Sequence, residues 1–209
     1  MVIRDIIRYF PFVTAVQTDR FGQLREIYEY WNSRINLVSR KDMDNFYIHH
    51  VLHSLSIAKI IRFLDGTSIL DVGTGGGFPG IPLAIMFPGC KFFLLDSIGK
   101  KIKAVAGVAE TLGLENVTVV RKRAEDETER FDFAVSRALM PIPGFVNLVT
   151  KNITPAGRNT LENGIIYLKG GDIDEEIRPF RNKVKIWNIS NYFDEPYFET
   201  KKVIYIPVF

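Results

Sequence analysis

The order of hydrophobic and polar positions predicts two kinds of structure along this chain of 209 residues. From residue 3 to about residue 61 the hydrophobic residues recur at the spacing of a helix, with Thr18 or Asp19 as a helix cap. From residue 68 onward, short hydrophobic runs alternate with helical patterns. We therefore predict an N-terminal helical extension, residues 1–64, packed on a domain of residues 65–209.

Five short hydrophobic runs in the second part are predicted to be strands. Two further β-rich stretches, 184–189 and 202–209, are predicted to form a closing hairpin. Alternating strands and helices give a mostly parallel sheet with helices on both faces, so the predicted fold class is α/β. The five runs are 69–72, 91–96, 117–120, 131–135 and 165–168.

A glycine-rich segment, Gly73-Thr74-Gly75-Gly76-Gly77, follows the first predicted strand and precedes a helical pattern. Its four glycines let the backbone take positive φ and leave room for a ligand beside the main chain. Pro79 and Pro82 suit the first turn of the next helix, whose unpaired N–H groups are expected to face the turn. A helix start with free donors is an anion site, so a ligand is expected here.

Two acidic residues at strand ends narrow the choice of ligand. Asp96 ends the second predicted strand, 23 positions after Gly73, and an acid at that distance suits a ribose diol. Asp71 precedes Gly73 by two positions, and an acid there suits a ligand with a positive amino-acid end. S-adenosylmethionine has both features, so the pattern favours a methyltransferase. An NAD-dependent oxidoreductase, and a tight turn with only a structural role, remain open alternatives.

Composition adds a few limits. Charged residues make up 24% and hydrophobic residues 46% of the chain, which is typical of soluble globular proteins. The net charge of +3 allows an acidic partner such as nucleic acid without requiring one. The single cysteine, Cys90, excludes an internal disulfide. No uncharged hydrophobic run is long enough to cross a bilayer, so we expect a cytoplasmic protein without a membrane partner.

All three histidines lie between residues 49 and 53. On a helix, His50, His53 and Ser54 share a face. No cysteine lies nearby, and Asp42 and Asp44 are a poor ligand set, so no metal site is expected. Packing, capping and contact with a substrate all remain open for these histidines.

Three lysines, Lys100, Lys101 and Lys103, fall in the first turns of a helix predicted over 99–112. Their charges oppose the helix dipole, so a structural reason for them is hard to find. A solvated face and contact with phosphates are the two alternatives.

Polar residues follow the predicted strands at their carboxyl ends, where ligands of open α/β sheets bind. One rim of the sheet therefore collects the residues that matter most: Asp71, Gly73, Asp96, the segment 123–125, Ser136, Arg137, Lys169, Gly170 and Gly171.

Several of these segments, in this order, resemble the RsmG (glucose-inhibited division protein B) family. The resemblance rests on LDVGTGGGFPGIPLA at 70–84, LDSIGKK at 95–101, VSRA at 135–138 and LKGG at 168–171. It extends to 31–32, 35–37, His50 and Ser54, and so covers most of the chain beyond about residue 25. It implies a Rossmann-like class I S-adenosylmethionine-dependent methyltransferase fold with a mostly parallel seven-stranded sheet. The implied activity is bacterial methylation of N7 of guanine 527 in 16S ribosomal RNA.

By position, the resemblance also implies cofactor contacts. Glu125 would accept from the exocyclic amine of adenine, Phe78 would form an apolar wall, and Arg137 would bind the cofactor carboxylate or an RNA phosphate. The chain departs from the pattern of that family at His53, where many members have an aspartate. With the residues of the glycine turn, the expected cofactor-binding set is Asp71, Gly73, Gly75, Phe78, Asp96, Ala124, Glu125 and Arg137.

Guanine N7 has a free lone pair and no proton, so the transfer needs no general base and no catalytic residue is assigned with certainty. The candidates are Arg137, Asn36 and His50. The expected partner is 16S ribosomal RNA or a small-subunit particle, and we expect a monomer. A non-catalytic RNA-binding or ribosome assembly factor is a third alternative. The RNA-binding candidates are Arg34, Arg40, Lys100, Lys101 and Lys169.

Overall fold

The computed structural model describes residues 2–39 and 42–209, and within them seven strands form one sheet. The strands lie in the order β3-β2-β1-β4-β5-β7-β6. The first five pair in parallel, and β7 is antiparallel to both β5 and β6. The mostly parallel seven-stranded sheet is therefore confirmed. The strands are β1 (Ser68–Val72), β2 (Lys91–Asp96), β3 (Val117–Arg121), β4 (Phe133–Arg137), β5 (Gly164–Gly170), β6 (Lys185–Asn188) and β7 (Lys201–Pro207).

The last two strands pair with each other as predicted, since Trp187 of β6 lies opposite Val203 of β7. β7 also pairs with β5 along its whole length, from Gly164 opposite Pro207 to Gly170 opposite Lys201. The final strand in the chain is thus an interior strand of the sheet.

The predicted bounds of β4 are wrong by two residues. Phe131 forms only an isolated bridge with Ile153, because its backbone bonds to residues 152 and 154 rather than to β1. The strand begins at Phe133 and continues to Arg137. Arg137 is therefore the last residue of a strand, and its backbone is held by the sheet.

One helix begins at a capping box, in which two side chains satisfy backbone N–H groups. The second helix starts after Thr14, whose Oγ1 accepts from Gln17 N at 3.2 Å while Gln17 Oε1 accepts from Thr14 N at 2.8 Å. Thr14 is therefore the cap, and the prediction of Thr18 or Asp19 is wrong. The helices are α1 (Val2–Tyr9), α2 (Ala15–Asn32), a π-helix (Tyr47–Leu52), α3 (His53–Leu55), α4 (Ile57–Ile60), α5 (Gly80–Met86), α6 (Gly99–Thr111), α7 (Ile142–Val149) and α8 (Asp174–Ile177).

Two hydrophobic cores follow from the alternation of side chains along each strand. Ile69 of β1 belongs to a core that contains Tyr28 of α2 and Phe92 of β2. The next residue, Leu70, belongs to a second core with Phe145 of α7. The N-terminal helices thus share a core with the sheet.

Candidate functional site

The glycine turn joins β1 to α5 with a left-handed backbone. Gly73, Gly75 and Gly77 have φ angles of 67°, 58° and 91°, which residues with side chains rarely adopt. Space is also limited at Gly73, where a Cβ would lie 2.6 Å from Leu139 Cδ1. The turn therefore requires glycine at these positions.

The carboxylate of Asp71 lies beneath this turn and is fully buried. Its Oδ2 accepts from Thr74 Oγ1 at 2.6 Å and from Gly80 N at 2.8 Å. Because Gly80 is the first residue of α5, Asp71 itself occupies the start of that helix. The prediction of an anion site at free helix donors is therefore wrong: the chain fills that place with its own carboxylate.

The second oxygen of Asp71, Oδ1, is buried and has no hydrogen-bond partner among the described residues. Burial raises the pKa of the Asp71 carboxyl to about 7, although the hydrogen bonds from Thr74 and Gly80 lower it. Asp71 was expected to face the positive end of a ligand. It lies instead under the turn, where it ties β1 to α5.

A cavity of about 330 Å³ opens at the carboxyl ends of β1 and β2, beside the segment after β3. Five of the expected cofactor-binding residues line it, namely Gly73, Gly75, Asp96, Ala124 and Glu125. Asp71, Phe78 and Arg137 do not. Most of the remaining wall is apolar, so the cavity suits a ligand with both polar and apolar parts. The apolar side chains of this wall are Val72, Leu95, Ile98, Leu139, Met140 and Leu148.

Asp96 is positioned for hydroxyl groups. Its Oδ2 accepts from Gly75 N at 3.0 Å and its Oδ1 accepts from Ile98 N at 2.9 Å. A carboxylate offers about four acceptor sites, so each oxygen retains one toward the cavity. Two adjacent hydroxyls, as in a ribose diol, would match that capacity.

The segment after β3 forms a short 3₁₀-helix, Ala124–Asp126, at the cavity wall. Its backbone is held from outside, because Lys151 Nζ donates to Glu125 O. Asn152 Nδ2 also donates to Glu127 O at 3.0 Å. Both contacts come from the turn that follows α7, and they hold the segment of Ala124 and Glu125 at the cavity wall.

Leu139 is a cavity residue that the sequence analysis missed. It follows Ala138, whose φ of 47° is unusual for a residue with a side chain. This left-handed step places the Leu139 side chain against Gly73. No motif marks a leucine there, and the nearest signal in the sequence was the polar pair Ser136-Arg137 at the end of β4.

Arg137 belongs to a second group of polar residues beside the cavity. Its Nη1 donates to His49 O at 3.1 Å, and its Nη2 lies 2.9 Å from His50 Nδ1. The guanidinium carbon lies 5.1 Å from the centre of the Phe78 ring, in cation–π contact. No carboxylate in the described part of the chain pairs with Arg137. Burial lowers the pKa of Arg137, and an anionic group bound beside it would favour the charged form.

The contact with Arg137 determines the protonation of His50. A guanidinium only donates hydrogen bonds, so Nδ1 of His50 must accept and the ring proton must be on Nε2. Burial and the charge of Arg137 lower the pKa of His50 to about 3. At neutral pH His50 is therefore a neutral acceptor for Arg137. Neutral His50 therefore has no imidazolium proton to donate as an acid.

Tyr197 completes this group and was also missed, although it lies in an aromatic-rich stretch of the sequence. Its ring stacks on His49 at 3.9 Å, and its hydroxyl lies 3.4 Å from His53 Nδ1. His53 is 4% exposed, and burial lowers its pKa well below the usual 6.5. His53 is therefore a neutral packing residue. Asp42 provides the carboxylate nearest to this group, 2.9 Å from His49 Nδ1.

Phe78 lies in the core rather than on the cavity wall. It is 3% exposed and packs against Tyr28, Phe46 and His50 at ring-centre distances of 5.0, 5.9 and 5.1 Å. Its nearest polar neighbour is the guanidinium of Arg137. Phe78 therefore supports Arg137 and His50 from below.

The RNA-binding candidates have different surroundings. Lys101 lines the cavity and Lys100 is exposed beside it. Lys169 is instead paired with Glu176, whose two carboxylate oxygens lie 2.5 and 2.6 Å from its Nζ. The charge of Lys169 is thus compensated within the chain.

The N-terminal candidates lie on the loop after α2. Arg34 is exposed and folds back over the ring of Tyr30, with its guanidinium carbon 3.7 Å from the ring centre. Asn36 is exposed. Arg40 lies outside the described residues.

A larger cavity of about 660 Å³ lies near residues 63–65 and 86–88, which precede β1 and β2. It is therefore at the opposite end of the sheet, and none of the predicted site residues lines it. The smaller cavity at the carboxyl ends has the polar groups that a nucleoside requires, so we take it as the candidate site.

Within residues 2–39 and 42–209, no group of three or more His, Cys, Asp or Glu side chains is placed to hold a metal ion. No helix in that part of the chain has the length and apolar character needed to cross a bilayer.

Known structures share this fold at low sequence identity. An S-adenosylmethionine-dependent methyltransferase from Aquifex aeolicus has a TM-score of 0.56 and 15% identity, and the match covers 77% of this chain and 92% of that one. Precorrin-6y C5,15-methyltransferase from Geobacter metallireducens has a TM-score of 0.55 and 12% identity, covering 82% and 90%. The fold is therefore that of the class I methyltransferases.

Sequence comparison identifies the family. A family model described as rRNA small subunit methyltransferase G matches residues 17–196. The protein named ribosomal RNA small subunit methyltransferase G from Bacteroides fragilis strain YCH46 is 52% identical over 206 residues, covering 99% of this chain and 92% of the relative. The protein of the same name from Christiangramia forsetii is 51% identical over 208 residues, covering 100% and 98%. The chain belongs to the ribosomal RNA small subunit methyltransferase G family.

Proposed function

We propose that this protein transfers a methyl group from S-adenosylmethionine to N7 of guanine 527 in 16S ribosomal RNA. Its family membership makes it a ribosomal RNA methyltransferase that uses S-adenosylmethionine. The structural observation that carries the proposal is the cavity of about 330 Å³ between the glycine turn and Asp96.

The residues around this cavity fit the cofactor. Asp96 has acceptor capacity left for the ribose hydroxyls, and the backbone and carboxylate at Ala124 and Glu125 suit the edge of adenine. Leu95 and Leu139 offer apolar surface to the purine and to the methylene groups of the methionine part. When bound, S-adenosylmethionine supplies a methyl group on a positively charged sulfur.

The start of α5 argues against the dinucleotide alternative. In NAD-binding folds the pyrophosphate lies on free N–H groups at the start of the helix that follows the glycine turn. Here Gly80 N already donates to Asp71, whose buried carboxyl would also repel a pyrophosphate when ionised. This contact, together with the family assignment, supports methyl transfer over hydride transfer.

The chain's own residues have mainly to orient the two reactants. Guanine N7 has a lone pair and no proton, so no side chain has to remove one. Neutral His50 cannot protonate N7 and fixes the guanidinium of Arg137. Arg137 would bind either the carboxylate of the cofactor or a phosphate of the RNA, because its buried charge has no carboxylate partner among the described residues.

The remaining proposals concern the setting of the reaction. Ribosomal RNA is the substrate of this family, and we propose the 16S species, free or within a small-subunit particle, acted on by a cytoplasmic monomer. We also propose that residues 1–64 are an extension of the domain of residues 65–209, because Tyr28 shares a core with Phe92 and Phe133.

Two measurements test the function. Mass analysis of 16S ribosomal RNA from a strain lacking the protein should show guanine 527 without its N7 methyl group, and the purified protein should restore it. Calorimetry should show binding of S-adenosylmethionine and none of NADH. Full methylation of N7 in that strain would contradict the proposal, and cofactor binding without methyl transfer would favour the non-catalytic alternative.

A further inference from the structure

We propose that five cations beside the cofactor cavity form a docking surface for the phosphates of the substrate RNA. This surface, the basic edge, consists of Lys100, Lys101, Lys103, Arg121 and Arg123. The proposal rests on the proposed function. It extends the set predicted from sequence, which contained only Lys100 and Lys101 of these five.

The basic edge is one continuous surface formed by two elements. The three lysines lie in the first turns of α6, and Arg121 ends β3, which is a terminal strand of the sheet. The two elements touch, since a Cβ at Gly99 would lie only 3.1 Å from Arg121 Nε. Lys101 and Arg123 also line the cofactor cavity, so the surface begins where the methyl donor would bind.

These five cations have no partner within the described part of the chain. None of them forms an ion pair there, and all except Lys101 are exposed. Lys122, which lies between Arg121 and Arg123, provides a contrast because its Nζ pairs with Glu127 at 3.3 Å. The charge of Lys122 is therefore compensated within the chain, whereas the charges of Arg121 and Arg123 are not.

The lysines of α6 also have no stabilising role in their own helix. The first turn of α6 carries no acidic residue, and its N-cap, Ile98, makes no side-chain hydrogen bond. Positive charge near a helix N-terminus is unfavourable, as is positive charge beside Arg121. Repulsion of this kind is relieved when a polyanion binds.

The five cations of the basic edge exceed the net charge of the whole chain. The chain has 27 lysines and arginines against 24 acidic residues, a net charge of +3. A cluster of five unpaired cations beside the cavity would attract an RNA backbone and hold it next to the bound cofactor.

At the end of β5, the lysine predicted from sequence to bind RNA is already paired. Lys169 at the end of β5 is neutralised by Glu176 at 2.5 Å. We therefore infer that the RNA backbone passes over α6 and the end of β3, on the adenosine side of the cofactor, rather than over β5.

The test compares two opposite edges of the same sheet. Lys103→Gln, Arg121→Gln and the double variant remove charge from the basic edge without touching the cavity wall. Lys183→Gln and Lys185→Gln are the matched controls, because both lysines are exposed at the β6 edge. Binding to small ribosomal subunits from a strain lacking the protein is measured over a range of salt concentrations, and cofactor affinity is measured by calorimetry.

Each removed contact should make the slope of log K against log salt shallower by about 0.7–0.9, with cofactor affinity unchanged. The control variants should keep the slope of the unaltered protein. Unchanged slopes for Lys103→Gln and Arg121→Gln, or equal changes in the controls, would overturn the basic edge. Failure of the unaltered protein to methylate N7 would instead overturn the proposed function, so the two failures can be distinguished.

Discussion

Arg137 Nη2 and His50 Nδ1 lie 2.9 Å apart and connect the end of β4 to the π-helix of the N-terminal segment. The same π-helix offers His49 O to Arg137 Nη1 at 3.1 Å. A buried guanidinium with two neutral acceptors is held in one orientation without losing its charge. The orientation of Arg137 therefore depends on the N-terminal segment as much as on the sheet.

Removing the acceptor at position 50 should impair the enzyme without unfolding it. His50→Phe keeps a ring of similar shape but loses the hydrogen bond, and a hydrogen bond to a charged group contributes about 1.5–3 kcal/mol. We expect kcat/KM for methyl transfer to fall by about tenfold or more. His50→Gln should recover part of this loss, because its amide oxygen can accept from Arg137. Equal activity of both variants and the unaltered protein would show that this contact is not needed.

Replacing Arg137 itself should have a larger effect. Arg137→Ala removes a cation that no carboxylate of the described residues neutralises, so the fold should tolerate the loss better than the activity. We expect most methyl transfer to disappear while the protein still folds, with a melting temperature lowered by a few degrees because two hydrogen bonds are lost. Near-normal turnover would count against a role for Arg137 at the site.

Asp96→Asn tests the ribose contact. The carboxylate already accepts from Gly75 N and Ile98 N, and an amide oxygen cannot replace all of its acceptor sites. Loss of one hydrogen bond to a charged group should raise the Kd for S-adenosylmethionine about tenfold to a hundredfold. Asp126→Asn is a suitable control, because Asp126 is an exposed acid outside the cavity lining. Similar calorimetric affinities for both variants would contradict the assignment.

The raised pKa of Asp71 predicts a pH effect on stability. Because burial raises this pKa from 3.8 to about 7, the folded protein keeps a proton that the unfolded chain releases. Stability from this group therefore decreases as pH rises from about 4 to 7. Asp71→Asn removes the effect, so its stability relative to the unaltered protein should be more favourable at pH 8 than at pH 5, by up to about 3 kcal/mol. Denaturant titrations at both pH values measure this, and an equal difference at both would refute it.

The buried histidine His53 should make stability depend on pH in the opposite direction to Asp71. Its pKa is held well below 6.5 by burial and by the nearby charge of Arg137, so the unfolded chain takes up a proton that the folded protein does not. Stability from this group is complete above about pH 6.5 and is lost as the pH falls. His53→Phe should therefore reduce the loss of stability between pH 7 and pH 5 by about 2 kcal/mol. An unchanged pH dependence would mean that His53 is protonated in the folded state.

Much of the fold follows from local pattern, and the structure shows why. The run Ile69–Val72 is hydrophobic on both faces because Ile69 and Leu70 enter different cores. The glycines after it were recognised because positive φ and close approach depend on residue type alone. The pairing of β7 between β5 and β6 depends on the assembled sheet, and no local pattern encodes it.

The site was harder to predict, because its key contacts are distant in sequence. The sequence pattern predicts that Asp71 lies at the end of a strand. It does not show that Gly80 N, nine residues later, donates a hydrogen bond to the Asp71 carboxylate. Tyr197 reaches the histidines across 144 residues, and Leu139 is directed by the left-handed backbone of Ala138. The position of Asp96 in the site was easier to predict. Asp96 ends a strand beside the glycine turn, and a side chain there can face few places other than the cavity.

The interior position of β7 has a consequence for synthesis of the protein. Lys201–Pro207 are translated after the other six strands, and until they emerge β5 lacks a partner on one side and β6 lacks its neighbour in the sheet. Until β7 is translated, the growing chain therefore has an open sheet edge, which a strand of another chain can join. A nascent chain stalled before residue 201 should be more prone to aggregate than one stalled before β6, because β6 would then be exposed without its neighbour.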